Sequence, residues 1–242
     1  MQEKINTLFG NGEIKIIQRQ DMFNFSLDSI LLADFVNLTK DAHTLVDLGT
    51  GFAPIPLFLS TRSKTLDMLG IEIQREVADI ARRNVALNNL EPTIRIINGD
   101  LRDESCLPAR ATIDIVTCNP PFFKHDVTSN LNKSTYKTIA RHEVTVTMED
   151  IVRTAAYLLK QTGRLFMVIR AMRTDELIHL FKTYDFHTKR MRFVHTRENK
   201  EASMVLIEAT YRTNPGLRIL PPLYVHDAEG YTDEVDRIYK RK

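Results

Sequence analysis

Leu45-Val46-Asp47-Leu48-Gly49-Thr50-Gly51-Phe52-Ala53 decides the architecture of this chain. Its first four residues read as a short buried strand, and that strand runs straight into two glycines one residue apart. Glycines at a strand-to-helix turn accept φ > 0 and let a ligand approach the backbone. The pattern is GxGxA, short of the full GxGxxG, so alone it is a weak nucleotide fingerprint. Its surroundings strengthen it. Leu69-Gly70-Ile71-Glu72-Ile73 is a second apolar strand ending in an acid, where a carboxylate accepts hydrogen bonds from both ribose hydroxyls. Ile94-Arg95-Ile96-Ile97-Asn98-Gly99-Asp100 is a third, with Asp100 placed to meet an adenine amino group.

A fourth strand, Ile113-Asp114-Ile115-Val116-Thr117-Cys118, leads into Asn119-Pro120-Pro121-Phe122. Two prolines cannot continue a strand, because each lacks an N–H and fixes φ, so the chain must turn out at that point. Asn-Pro is also an ordinary turn starter. Here the turn sets a carboxamide, a carbonyl and an aromatic ring side by side at the carboxyl end of a sheet strand. An amino group on a flat ring needs that set. Asn119 Oδ1 and the Pro120 carbonyl accept its two hydrogens, Phe122 stacks on the ring, and Pro121 holds the turn.

Between and beyond these strands the pattern alternates with helices. Helical periodicity covers 55–61 and 76–88, and Ser26 or Asp28 caps a helix carrying Ile30, Leu31, Ala33, Phe35 and Val36. Glu13 to Gln18 alternates and is expected to pair with Met22 to Phe25 as a hairpin. Lys124 to Glu143 is polar and too long for an ordinary connection. A helix starts at Thr147-Met148-Glu149-Asp150, a strand covers 163–169 and a helix 174–184. Two strand-like runs follow, 187–194 and 202–210, with no helix between them. This order argues an α/β sheet with one antiparallel strand. Ligands in such folds sit at the carboxyl ends of the strands, where Asp47, Glu72, Asp100 and Asn119 all fall.

The whole chain, 1–242, is expected to form one domain: hairpin and helix over 1–40, core over 41–210, and a C-terminal arm over 211–242 packing on the sheet. A net charge of +2 advertises no global field for nucleic acid. Three local basic groups do flank the expected site. They are Lys124, His125, Lys133, Lys137, Arg141 and His142 after the turn; Lys189, Arg190, Arg192, Arg197 and Lys200 on the late strands; and the Arg237-to-Lys242 terminus. Such runs are either solvated faces or phosphate-binding surfaces. Cys106 and Cys118 have no companion Cys/His cluster, so neither a metal centre nor a disulfide framework is expected. No targeting or membrane-spanning segment is apparent, which fits the cytoplasm.

The order DLGTG, Glu72, Asp100 and NPPF resembles class I S-adenosylmethionine-dependent methyltransferases of the amino-methylating group. The resemblance covers about residues 13 to 210. Phe23-Asn24-Phe25-Ser26-Leu27-Asp28-Ser29-Ile30-Leu31-Leu32-Ala33, Ala140-Arg141-His142-Glu143 and Pro221-Pro222-Leu223 narrow it to the bacterial enzymes that methylate N6 of adenine 37 in a valine tRNA. The family commonly has another glycine where this chain has Ala53-Pro54. The resemblance implies a Rossmann-like fold, a seven-stranded, mostly parallel sheet with one antiparallel strand, and a small N-terminal hairpin. It implies S-adenosylmethionine held by Asp47, Gly49, Thr50, Gly51, Glu72, Asp100 and Asn119, and catalysis by Asn119, Pro120, Pro121 and Phe122. The partner it implies is a tRNA anticodon loop, with no obligatory protein partner. Guanine-N2 methylation of rRNA and N5 methylation of protein glutamine are the alternatives with the same amine chemistry. An RNA-binding module with a degenerate core is the non-enzymatic one.

Overall fold

Leu45 and Val46 are neighbours in sequence, yet they belong to hydrophobic cores on opposite faces of one sheet. Met68 and Leu69, Ile115 and Val116, and Phe166 and Met167 divide in the same way. Successive strand side chains point to opposite faces, so a strand covered on both sides must be apolar throughout. That requirement explains the unbroken apolar runs of the sequence.

The computed structural model describes residues 3–8, 14–19, 27–120 and 146–239. In chain order the elements are β1 (Glu3–Thr7), β2 (Lys15–Arg19), α1 (Leu27–Phe35), β3 (Thr44–Leu48), α2 (Pro54–Ser60), β4 (Asp67–Glu72), α3 (Arg75–Leu87) and β5 (Ile94–Asn98). Then come β6 (Ile113–Cys118), α4 (Met148–Leu158), β7 (Leu159–Arg170), α5 (Thr174–Thr183), β8 (Phe186–His195) and β9 (Ala202–Tyr211). The arm adds β10 (Arg218–Ile219), β11 (Leu223–Tyr224) and α6 (Asp233–Tyr239). The principal strands lie in the order β5-β4-β3-β6-β7-β9-β8, and among the described strands of this sheet β9 alone runs antiparallel to its neighbours. The short β10 and β11 both pair with β8 at the edge, so the late segment is an arm laid on the sheet.

Helices α1, α2, α3 and α6 pack on one face, and α4 and α5 on the other. A reciprocal capping box starts α4: Thr147 Oγ1 accepts from Asp150 N at 3.1 Å while Asp150 Oδ2 accepts from Thr147 N at 2.9 Å. Pro54 opens α2, where its missing N–H leaves nothing unsatisfied.

In the N-terminal hairpin the alternating segment is β2, and among the described residues its strand partner is β1, with Ile5 opposite Ile17. The segment 22–25 lies outside the described residues. Two carboxamides four residues apart, Asn84 in α3 and Asn88 at its C-cap, dock β2 to the core. Asn84 Oδ1 accepts from Ile17 N at 2.6 Å, and Asn88 Oδ1 accepts from Lys15 N at 2.8 Å. Their Nδ2 groups donate to the Ile17 and Lys15 carbonyls at 3.3 and 2.7 Å, so each side chain satisfies the β2 backbone as a neighbouring strand would. Asn84 Nδ2 also donates to Phe52 O at 3.1 Å, which ties the hairpin to the glycine loop.

Candidate active site

From β3 the chain winds outward to β4 and β5, then returns to place β6 on the other side of β3. That reversal puts the topological switch point at the carboxyl ends of β3 and β6, the place where open α/β sheets take ligands. The register sets Asp47 beside Thr117 and Leu48 beside Cys118. The glycine loop and Asn119 therefore leave adjacent strands at the same level.

The loop is built for a left-handed path. Gly49 and Gly51 have φ of 68° and 57°, and Ala53 shares that conformation at φ 64°. Ala53 thus occupies the backbone shape that favours glycine. It is fully buried and precedes Pro54 as the N-cap of α2. A Cβ placed on Gly49 or Gly51 would meet nothing within 4 Å, so the loop presents an open cradle. Beneath it Gly70 serves the opposite purpose: a Cβ there would lie 2.7 Å from Thr50 Cγ2 and 2.8 Å from Ile96 Cδ1.

Asp47 sits under the loop at 1% exposure, and both its oxygens are engaged. Thr50 Oγ1 donates to Oδ2 and Thr117 Oγ1 to Oδ1, each at 2.7 Å. Burial pushes this carboxyl up to about 7 against the pull of the two hydroxyls. The structure thus brings Asp47 and Thr50 together as the buried support of the loop. Glu72 ends β4 beside it: Oε2 accepts from Gly51 N at 3.0 Å and Oε1 from Gln74 N at 2.9 Å. Burial raises the Glu72 pKa as well, opposed by these amides. Gln74 Nε2 also reaches Oε1 at 3.5 Å, and with about four lone-pair directions on a carboxylate it is Oε2 that keeps capacity for a further donor. Asp100 lies past the end of β5, its carboxylate forked by Arg102, with Nη2 to Oδ2 at 2.6 Å and Nε to Oδ1 at 3.0 Å. The Arg102 hydrogen bond holds the Asp100 pKa below the usual carboxylate range.

Asn119 is the most telling residue. Its Nδ2 donates to Ser29 Oγ in the first turn of α1 at 2.9 Å. Its Oδ1 is shielded from solvent and accepts from nothing, the one such buried side-chain atom among the described residues. A buried polar atom without a partner costs about 1–3 kcal/mol, and a site that holds one is arranged for a donor that arrives from outside. Asp47, Gly49, Thr50, Gly51, Glu72, Asp100, Asn119 and Pro120 all lie at this edge of the sheet. Pro121, Phe122 and the basic segment 124–143 lie outside the described residues.

Ser29 was not among the site residues expected from the sequence. Its neighbours Ser26 and Asp28 read as helix caps, and nothing local marks Ser29 itself. The second basic cluster divides, with Arg197 and Lys200 exposed and the others partly buried. Arg190 pairs with Glu208 and donates to Phe35 O at 3.0 Å. Arg192 forks Glu234 at 2.7 and 2.8 Å, while Lys189 and Arg197 donate to the Asn214 and Asp227 carbonyls. Arg190 and Arg192 meet carboxylates and bind the late strands to α1 and the arm, whereas Lys189 and Arg197 meet neutral carbonyls and keep their charge.

A mostly parallel sheet with an antiparallel β9, a glycine loop after β3 and an acid ending β4 make up the class I methyltransferase fold. A predicted O-methyltransferase from Agrobacterium tumefaciens shares it, with a TM-score of 0.70 and 21% identity over 88% of this chain and 95% of its own. The methyltransferase small domain model matches residues 13–196, and the chain belongs to that family. Among curated relatives, the tRNA1(Val) (adenine(37)-N6)-methyltransferase of Porphyromonas gingivalis is 33% identical over 67% of this chain and 64% of its own length. The chain therefore spans just under two thirds of that relative. The protein of the same name from Photobacterium profundum is 25% identical over 86% of this chain and 85% of its own.

Proposed function

We propose that the protein, acting over 1–242 as one unit, transfers a methyl group from S-adenosylmethionine to the N6 amine of an adenine in tRNA. The target is adenine 37 in the anticodon loop of a valine tRNA, and the setting is the cytoplasm. The observation that carries this reading is the unpartnered Asn119 Oδ1 beside the glycine loop. Family membership and the names of the two relatives point the same way. Among the described residues no helix is long and apolar enough to cross a membrane.

The residues present fit the cofactor. The open faces of Gly49 and Gly51 let it approach the backbone, Glu72 accepts from the ribose diol, and Asp100 accepts from the adenine amino group. Asp47 and Thr50 hold the loop in shape from below. When bound, S-adenosylmethionine supplies an electrophilic methyl group.

The protein's own contribution is alignment. The exocyclic nitrogen of adenine is a poor nucleophile because its lone pair is delocalised into the ring. Asn119 Oδ1 and the Pro120 carbonyl accept its two hydrogens and favour a geometry in which that lone pair points outward. Pro121 fixes the turn, and Phe122 stacks on the base. No base is needed beforehand, because the nitrogen sheds a proton once it is methylated and cationic. A stacked base cannot enter such a slot, so the target is unpaired or flipped, as anticodon-loop bases readily are.

Mass spectrometry of tRNA nucleosides from cells with and without the gene tests the assignment. Loss of N6-methyladenosine from the valine tRNA supports it. An unchanged tRNA profile with loss of methylguanine from rRNA overturns it.

A further inference from the structure

Asn119 can act as an acceptor only if its carboxamide faces the right way. The terminal torsion of an asparagine is broad and roughly two-fold, and a half-turn exchanges Oδ1 for an NH2 group. The target amine would then meet a donor where it needs an acceptor. Within this structure one contact fixes where the carboxamide lies: Asn119 Nδ2 donates to Ser29 Oγ at 2.9 Å, and a hydroxyl, which can accept or donate, keeps the group there while an arriving amine selects the Oδ1 face. The contact spans ninety residues of sequence, and Ser29 is 6% exposed, so water does not readily replace it.

The helix that presents Ser29 is fixed at its far end. Arg62 Nη1 donates to Ala33 O at 2.7 Å and to Asp34 O at 3.2 Å. Arg190 Nη2 donates to Phe35 O at 3.0 Å, and Arg164 Nη1 to Asn37 O, just past the helix, at 2.6 Å. Cations at a helix carboxyl end satisfy its free carbonyls and complement its dipole. These three come from the α2–β4 connection, β7 and β8, so α1 is tied to three separate parts of the fold. Its inward side is seated by Ile30, Leu31, Leu32 and Ala33, each at 1% exposure or less.

We propose that Ser29 is a positioning residue for methyl transfer. Its hydroxyl holds the Asn119 carboxamide in place at the point where the target amine meets Oδ1, and the arginine-anchored α1 holds Ser29. This rests on the amino-methylation reading above. Ser29 touches neither substrate nor cofactor in this scheme; it acts through Asn119 alone.

That dependence is testable by a double-mutant cycle on the full chain. Single-turnover transfer from labelled S-adenosylmethionine to unmodified valine tRNA is measured for wild type, Ser29→Ala, Asn119→Ala and the double variant. Ser29→Ala is expected to slow transfer about three- to tenfold at saturating cofactor and tRNA, the worth of one hydrogen bond. Its dissociation constants for S-adenosylhomocysteine and tRNA stay at wild-type values. In the Asn119→Ala background the same change costs nothing further, because there is no carboxamide left to hold. Should the alanine variant not accumulate folded, the nearly isosteric Ser29→Cys, with its weak thiol acceptor, takes its place in the same cycle. Equal losses in both backgrounds would overturn the proposal and make Ser29 a general packing residue. Wild-type transfer by Ser29→Ala with a slow Asn119→Ala sinks the Ser29 assignment and leaves the amino-methylation reading standing. Wild-type transfer by Asn119→Ala overturns both.

Discussion

Thr117 Oγ1 donates to Asp47 Oδ1 at 2.7 Å, joining the strand that opens the glycine loop to the strand that ends at Asn119. The same carboxylate accepts from Thr50 within the loop itself. One buried acid thus sets the glycine loop and the strand that ends at Asn119 in register. Asp47 also titrates in an unusual range, because burial pushes its carboxyl from 3.8 up to about 7.

The sign of that shift gives a stability prediction. Between about pH 4 and 7 the unfolded chain has released this proton while the folded chain keeps it, so rising pH draws stability down through that window. Asparagine cannot ionise but can still bridge both threonines. Asp47→Asn should therefore gain stability relative to wild type as pH rises from 5 to 8, by on the order of a few kcal/mol. Melting temperatures of the two proteins across that range check it. Parallel curves would mean that Asp47 is not the group responsible.

Gly70 is required by close approach, since a Cβ there would fall 2.7 Å from Thr50 Cγ2 and 2.9 Å from Thr50 Cβ. Gly70→Ala should destabilise the protein by about 1–3 kcal/mol, as overpacking typically does. It should also weaken cofactor binding, because the displaced residue is the one that shapes the loop. Urea unfolding and calorimetry measure the two effects. An unshifted unfolding midpoint would mean that the loop yields freely.

Glu72 holds Gly51 N at 3.0 Å and, in the proposed reading, the ribose diol as well. Replacing it by alanine leaves those hydroxyls without an acceptor, and S-adenosylmethionine affinity should fall by about 1–3 kcal/mol. Calorimetric titration decides this, and unchanged affinity removes Glu72 from the cofactor site.

Arg192 fastens the C-terminal arm, forking Glu234 and donating to the Pro221 and Pro222 carbonyls. Arg192→Ala should expose 218–239 to limited proteolysis and lower the melting temperature by about 2–4 °C. Lysine should rescue poorly, because an ammonium cannot fork a carboxylate. Wild-type resistance to cleavage would show that the arm is held by its apolar contacts alone.

The parts of this fold that were legible are those that carry a local signal. β6 runs from Ile113 to Cys118 as its apolar run implied, and β3, β4 and β5 were found to within a few residues. The strand-end positions of Asn119, Glu72 and Asp100 followed from that. Contacts made across long stretches of chain were not legible. Ser29 meets Asn119 ninety residues away, and Asn84 reaches back to Ile17, with no periodicity to announce either. β1 was passed over because all five of its residues are exposed and it shows no buried face. Arg190 and Arg192 read as a basic surface because sequence reveals the cation but not the distant carboxylate or carbonyl that absorbs it.

The central claim is that Asn119 Oδ1 receives the amine that is methylated. The most direct measurement incubates unmodified valine tRNA and S-adenosylmethionine with wild type or with Asn119→Ala, then sequences the digested anticodon-loop fragment by mass spectrometry. The account predicts N6-methyladenosine at position 37 with wild type, and a rate lower by a factor on the order of a hundred for the variant, as when one preorganised active-site hydrogen bond is lost. N6-methyladenosine formed by Asn119→Ala at the wild-type rate would contradict it.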